Sequence, residues 1–83
     1  MKTIWITGGS SGIGFATAQK FLVNNWRVII SSSNNEKLKN AQERLGKSVD
    51  IENLYILKCN ISSEDEVKKI INKIEKDISK IDI

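Results

Sequence analysis

The chain has 83 residues, 40% hydrophobic and 28% charged, with a net charge of +3, one cysteine and no histidine or proline. Eighty-three residues are expected to form one small domain at most, burying roughly 60–65% of its unfolded surface. A lone Cys59 cannot close an internal disulfide, and the apolar run at the N-terminus is too short for a signal peptide or membrane span. A cytoplasmic location and no membrane contact are expected. The charge is unevenly placed. Residues 1–35 carry Lys2, Lys20 and Arg27 and no acid, whereas residues 36–83 carry ten basic and ten acidic residues. An acid-free first third suits an anionic ligand, although a solvated face has the same composition. Lysines alternate with glutamates later in the chain and form no stripe of one sign, so no nucleic-acid partner is expected.

The first predicted element is a buried strand at Ile4-Trp5-Ile6. It breaks into Thr7-Gly8-Gly9-Ser10-Ser11-Gly12-Ile13-Gly14, after which the pattern turns helical. A strand, a Gly-rich turn and a helix start in this order aim backbone N–H groups and the helix dipole at one point, which suits a phosphate. Gly8 is expected to turn the chain where a side chain would clash. Gly12 leaves room for a phosphate, and Gly14 allows close helix–strand packing. Ser10 and Ser11 add hydroxyl donors. The spacing differs from G-x-G-x-x-G, and no G-K-[ST] follows, so the P-loop is excluded.

The first helix is predicted from about Gly12 to Asn24, with Ile13, Ala16, Phe21 and Leu22 on its apolar face. Arg27 to Ser31 reads as a second buried strand, continuous as parallel strands are. A polar loop from Ser31 to Asn35 leads to a second helix from Glu36 to Leu45, ended by Gly46. Leu54 to Leu57 is the third strand, ending near Cys59. Ser62 or Ser63 caps a third helix with Glu64, Asp65 and Glu66 in its first turn. Val67, Ile70, Ile71, Ile74, Ile78 and Ile81 form one apolar stripe, expected in the core. The β-α-β-α-β-α order with right-handed crossovers predicts an α/β, Rossmann-like three-layer fold whose parallel sheet runs 3-2-1.

T-G-G-S-S-G-I-G directly after an N-terminal strand resembles the cofactor motif of the short-chain dehydrogenase/reductase family. The resemblance extends from Lys2 to Ile83 and implies a partial NAD(P)-binding domain spanning 1–83. It implies cofactor contacts from Gly8, Ser10, Ser11, Gly12, Ile13 and Gly14. Aligned through Glu36-Lys37-Leu38, Ser32 falls where NAD-preferring relatives carry Asp, and Ser33 where NADP-preferring relatives often carry Arg. The missing acid removes repulsion against a 2′-phosphate, which favours NADP over NAD, yet no arginine is supplied. Ser32, Ser33, Asn34 and Lys37 could hold a phosphate through hydroxyls, amide and ammonium. A solvated serine loop would look the same. Cys59-Asn60-Ile61-Ser62 resembles the step after the third strand whose aspartate contacts the adenine amino group. Asn60 keeps an acceptor oxygen for that bond or serves only the turn, and Ile61 would touch the adenine.

The family's catalytic Ser, Tyr and Lys have no counterpart in this chain, and no metal-ligating set is present. Ile81-Asp82-Ile83 looks like the entry to a fourth strand. The chain is therefore expected to be a truncated piece, ending before that strand and inactive alone, with the Ile4-Trp5-Ile6 edge bare and open to self-association. The alternative is a non-catalytic nucleotide-binding or protein-interaction module.

Overall fold

The computed structural model describes residues 1–8, 12–78 and 80–83. Three strands, β1 (Thr3–Thr7), β2 (Arg27–Ser32) and β3 (Leu54–Lys58), alternate with three helices, α1 (Gly12–Val23), α2 (Asn35–Gly46) and α3 (Glu64–Asp77). All strand pairings are parallel, with β2 in the centre and the order β1-β2-β3. The predicted Rossmann-like α/β arrangement is what the chain forms.

Side chains alternate across the sheet, and the two faces are covered differently. Ile4, Val28, Ile30 and Leu54 pack with Ala18 and Leu22 of α1 and with Leu38, Ala41 and Leu45 of α2. On the other face Trp5, Ile29 and Tyr55 stand in register. That face is left to α3, since both other helices lie on the first. Ile29 and Ile74 are fully buried, but Tyr55 remains 37% exposed. The expected core stripe of α3 is accordingly only partly core. Val67, Ile70, Ile71 and Ile78 are half-buried, and Ile81 lies past the helix end. One helix covers less of a three-stranded face than two do.

The apolar face of α1 also differs from expectation. Ala18 and Leu22 are buried, with Phe15 packed beside them, whereas Ala16 is exposed and Ile13 is 88% exposed. Positions 15, 18 and 22 follow the three-and-four spacing of one helical stripe, and positions 13 and 16 are rotated off it. Gly46 belongs to the last turn of α2 and does not form a left-handed stop. The cap is Lys47, in right-handed conformation, with its N–H directed to Arg44 and Leu45 carbonyls. A Cβ at Gly46 would lie 3.3 Å from Ile51 Cδ1, so the glycine serves packing.

The outer edge of β1 is not bare. Trp5 N–H donates to the Ile83 carbonyl at 2.8 Å, and the N–H groups of Asp82 and Ile83 both donate to the Thr3 carbonyl, at 2.9 and 3.2 Å. This is the bonding of a parallel bridge between Ile4 and Ile83. Asp82 Oδ2 also accepts from Thr3 N–H at 2.9 Å. The expected bare edge is thus covered as far as Trp5 by the very residues read as a strand entry, which leaves less backbone open to self-association.

Candidate functional site

The site lies where the C-terminal ends of the three parallel strands meet. β1 leaves the sheet through Gly8, whose φ of +70° favours glycine and whose N–H donates to the Ser31 carbonyl at 2.9 Å. Gly12 opens α1 with φ of +61°. A Cβ at either glycine would meet nothing within 4 Å. The requirement at Gly8 is therefore conformational, rather than the expected clash, and both glycines border open space. No acidic residue occupies the first turn of α1, so its N–H groups and dipole are unopposed by a local carboxylate. Ser10 and Ser11 lie outside the described residues. Ile13 is exposed beside this helix start, and Gly14 is half-buried.

β2 ends in Ser31 and Ser32. Ser31 is almost wholly buried, and its Oγ accepts the Trp5 indole N–H at 2.9 Å. Ser32 Oγ accepts from Asn34 N–H at 3.1 Å, and the Ser32 carbonyl accepts from Cys59 N–H at 3.0 Å. These bonds tie the exit of β2 to those of β1 and β3. Asn34 is the N-cap of α2, its Oδ1 accepting from Lys37 N–H at 3.1 Å. Its side-chain acceptor thus serves the helix first.

β3 gives way to Cys59, Asn60 and Ile61. Asn60 N–H donates to Glu66 Oε1 at 2.9 Å, while Asn60 Oδ1 accepts from both the N–H and the hydroxyl of Ser62. Ser63 caps α3, its Oγ accepting from Glu66 N–H at 3.3 Å. Cys59 is buried, and loss of hydration, followed by the nearby Glu66 charge, raises its thiol pKa above the ordinary 9.0. It is held as a neutral thiol, which fits packing and not nucleophilic attack.

A cavity of about 190 Å³ is lined by Gly8, Ser31, Ser32, Ser33, Cys59, Asn60 and Ile61. Gly8, Ser32, Ser33, Asn60 and Ile61, distant in sequence, were all singled out above and here share one wall. Asn34 is not part of that lining. Gly12, Ile13 and Gly14 stand at the adjoining start of α1. Sequence reasoning missed Ser31. Its only signal was a serine run at the end of an otherwise apolar strand, where a hydroxyl can satisfy a neighbouring indole.

The basic residues of the first third lie away from this cavity. Lys2 precedes β1, Arg27 begins β2 and Lys20 lies in the last turn of α1, all at the end of the sheet opposite Gly8. There Lys2 Nζ lies 5.6 Å from the Trp26 ring, and Lys20, Phe21, Asn24 and Trp26 line a separate cavity of about 480 Å³. Among the described residues no group of three or more His, Cys, Asp or Glu is placed to hold a metal, and no helix is long and apolar enough to cross a membrane.

Gly8 at the exit of β1, lining a crevice at the C-terminal ends of parallel strands next to the start of α1, fits one half of a doubly wound fold. The family profile described as short chain dehydrogenase matches residues 2–83. The chain belongs to the short-chain dehydrogenase family. It is 43% identical over 72 residues to the 3-oxoacyl-(acyl-carrier-protein) reductase of Rickettsia prowazekii, covering 87% of this chain and 28% of that relative. Its fold matches a short chain dehydrogenase from Bacillus anthracis at a TM-score of 0.86 and 30% identity, over 98% of this chain and 33% of the other. An NADPH-bound short chain oxidoreductase from Pseudomonas aeruginosa matches at 0.85 and 26% identity, over 94% of this chain and 30% of that one. The chain thus spans about a third or less of the length of these relatives.

Proposed function

We propose that this chain is the N-terminal, dinucleotide-binding part of an NAD(P)-dependent oxidoreductase acting on an alcohol or ketone. The observation that carries this is the cavity itself. Residues from three separate strand ends converge on it, beside two left-handed glycines whose Cβ positions are open. That cradle fits a nucleotide: Gly8, Ser10, Ser11, Gly12, Ile13 and Gly14 would hold the diphosphate through N–H groups and hydroxyls. Ser32 and Ser33 would face the adenosine ribose, with Asn34 and Lys37 behind them, and Asn60 and Ile61 would meet the base. When bound, the nicotinamide supplies the hydride acceptor or donor.

NADP is favoured over NAD. No carboxylate stands at Ser32 or Ser33 to repel a 2′-phosphate, and the NADPH-bound Pseudomonas relative supports the same choice. Catalytic groups do not come from these residues. Tyr55 lies within β3, and the chain has no histidine. This part alone would bind cofactor weakly and turn nothing over. A cytoplasmic location fits the free, buried Cys59.

Calorimetric titration of the chain with NADPH, NADH, ADP and 2′,5′-ADP tests the reading. Saturable binding of all four is expected, tighter for the 2′-phosphorylated pair. Absence of binding by every nucleotide would remove the assignment.

A further inference from the structure

We propose that Trp5 is a positioning residue for the nucleotide: acting through Ser31, its indole fixes the Gly8 turn in the shape that receives the diphosphate. The inference rests on the dinucleotide reading above and adds to it a residue that does not line the cavity. Ser31 and Gly8 do line it, and Ser31 is bonded to this part of the chain twice. Its Oγ accepts the Trp5 indole N–H at 2.9 Å, and its carbonyl accepts the Gly8 N–H at 2.9 Å. Both acceptors belong to one residue that is 1% exposed. The side chain of Trp5 and the backbone of Gly8 are therefore held against the same point of β2.

The sheet register explains the reach. Trp5 stands opposite Ile29, and side chains alternate along β2, so Ser31 is the next residue of that strand on the same face. A tryptophan spans this diagonal with a donor, whereas an aliphatic side chain or a phenyl ring brings none. Gly8 needs such a brace. Its φ is +70°, and a Cβ built there would meet nothing within 4 Å. No packing holds the turn from that side, and its bond to Ser31 carries the constraint. With the indole N–H removed, the Ser31 hydroxyl is a buried acceptor without this partner, and the cavity is the open space from which water can supply one. The end of β2 then loosens beneath Gly8. A site for a diphosphate depends on such supporting bonds for its geometry.

The test is calorimetric titration with ADP and AMP, which differ by one phosphate, of the parent chain, Trp5→Phe, Ser31→Ala and the double variant. Trp5→Phe keeps an aromatic ring and removes the donor. It should weaken ADP about fivefold to tenfold, the worth of one hydrogen bond, with AMP affected less, so that the ratio of their dissociation constants moves toward unity. A structural role alone would weaken both nucleotides equally and leave the ratio in place. Ser31→Ala should reproduce the change, and the double variant should lose no more than either single one, because both act through one bond. A second measurement needs no substitution. Saturating ADP should slow hydrogen exchange of the Trp5 indole N–H, since coupling between that bond and the ligand is reciprocal. Trp26, which precedes β2 at the far end of the sheet, serves as the control. An unchanged ADP-to-AMP ratio in Trp5→Phe, additive losses in the double variant, or no slowing at the Trp5 indole would overturn the proposal and leave the dinucleotide assignment standing. Failure of the parent chain to bind either nucleotide would overturn both.

Discussion

The indole N–H of Trp5 donates to the hydroxyl of Ser31 at 2.9 Å, joining β1 to β2 at the strand ends that border the cavity. Ser31 is 1% exposed, so neither water nor another side chain can easily replace the indole. Trp5→Phe strands that hydroxyl and should cost about 1–3 kcal/mol, read by chemical denaturation. Ser31→Ala strands the indole N–H of a half-buried ring and should cost less. The double variant should be less destabilised than the sum of the two, because it removes both partners. Strict additivity would show that the bond contributes nothing.

Gly12 is predicted to be intolerant for a backbone reason. A φ of +61° disfavours any L-residue by roughly 1–2 kcal/mol, and more for a β-branched one. The added side chain would also project into the open space assigned to the diphosphate. Gly12→Val should abolish ADP binding in calorimetry while circular dichroism shows the helices intact. Equal affinity of variant and parent would remove the cradle from this loop.

Cofactor choice should respond to single changes at the end of β2. Ser32→Asp should favour NAD by repelling a 2′-phosphate, and Ser33→Arg should favour NADP by pairing with it. Each is expected to move the NAD-to-NADP ratio of dissociation constants about tenfold or more, as one charge-assisted hydrogen bond can. An unchanged ratio in both variants would mean that the loop does not face the ribose.

The buried thiol predicts a pH dependence. Burial first, and the Glu66 charge second, raise the Cys59 pKa in the folded chain above the ordinary 9.0. The folded state then holds its proton more tightly than the unfolded state. The stability linked to it is fully present below the ordinary value of the unfolded thiol and is lost as pH rises through the folded value. Cys59→Ala should flatten the alkaline limb of the stability profile. Glu66→Gln should lower the thiol pKa and speed alkylation, and an unchanged alkylation rate would contradict this account.

Asp82 offers a test of the covered edge. Its carboxylate accepts from Thr3 N–H, whereas Trp5 N–H is held by the Ile83 backbone. Asp82→Ala should accelerate amide exchange at Thr3 more than at Trp5. Equal exchange at both positions, before and after the change, would place this segment away from β1.

The fold was largely legible because its signals are local or periodic. Continuous apolar runs marked β1 to β3, the serine and acid pattern marked the start of α3, and the order of elements then set the topology. What was misread depended on how elements meet. The sequence between Gly12 and Leu22 admits two apolar stripes. Only docking onto the sheet selects Ala18 over Ile13 and Ala16. The positions of the cavity residues were legible as a motif, but their hydrogen-bonding polarity was not. Asn34, which the resemblance marks for cofactor contact, also caps α2 through its oxygen. Asn60 reads in sequence as either a base contact or a turn residue, and its Oδ1 accepts from Ser62 within that turn. The acid-free first third suits an anionic ligand or a solvated face equally when charge is counted along the chain. Parallel strands put Lys2 and Arg27 at the far end of the sheet.

The bridge between Ile4 and Ile83 has a consequence for the order of events in biosynthesis. β1 is made before the other five elements of this chain, yet its outer edge finds these partners only when the Asp82-Ile83 segment has been made. The parallel pairing with β2 must likewise await the whole of α1. Throughout that interval a strand of large apolar residues carries unpaired backbone donors and acceptors. Contacts that join the two ends of a sequence form late and slowly, because a long loop must close before they contribute. The nascent chain is therefore most exposed to wrong pairing at the strand that precedes its glycine turn.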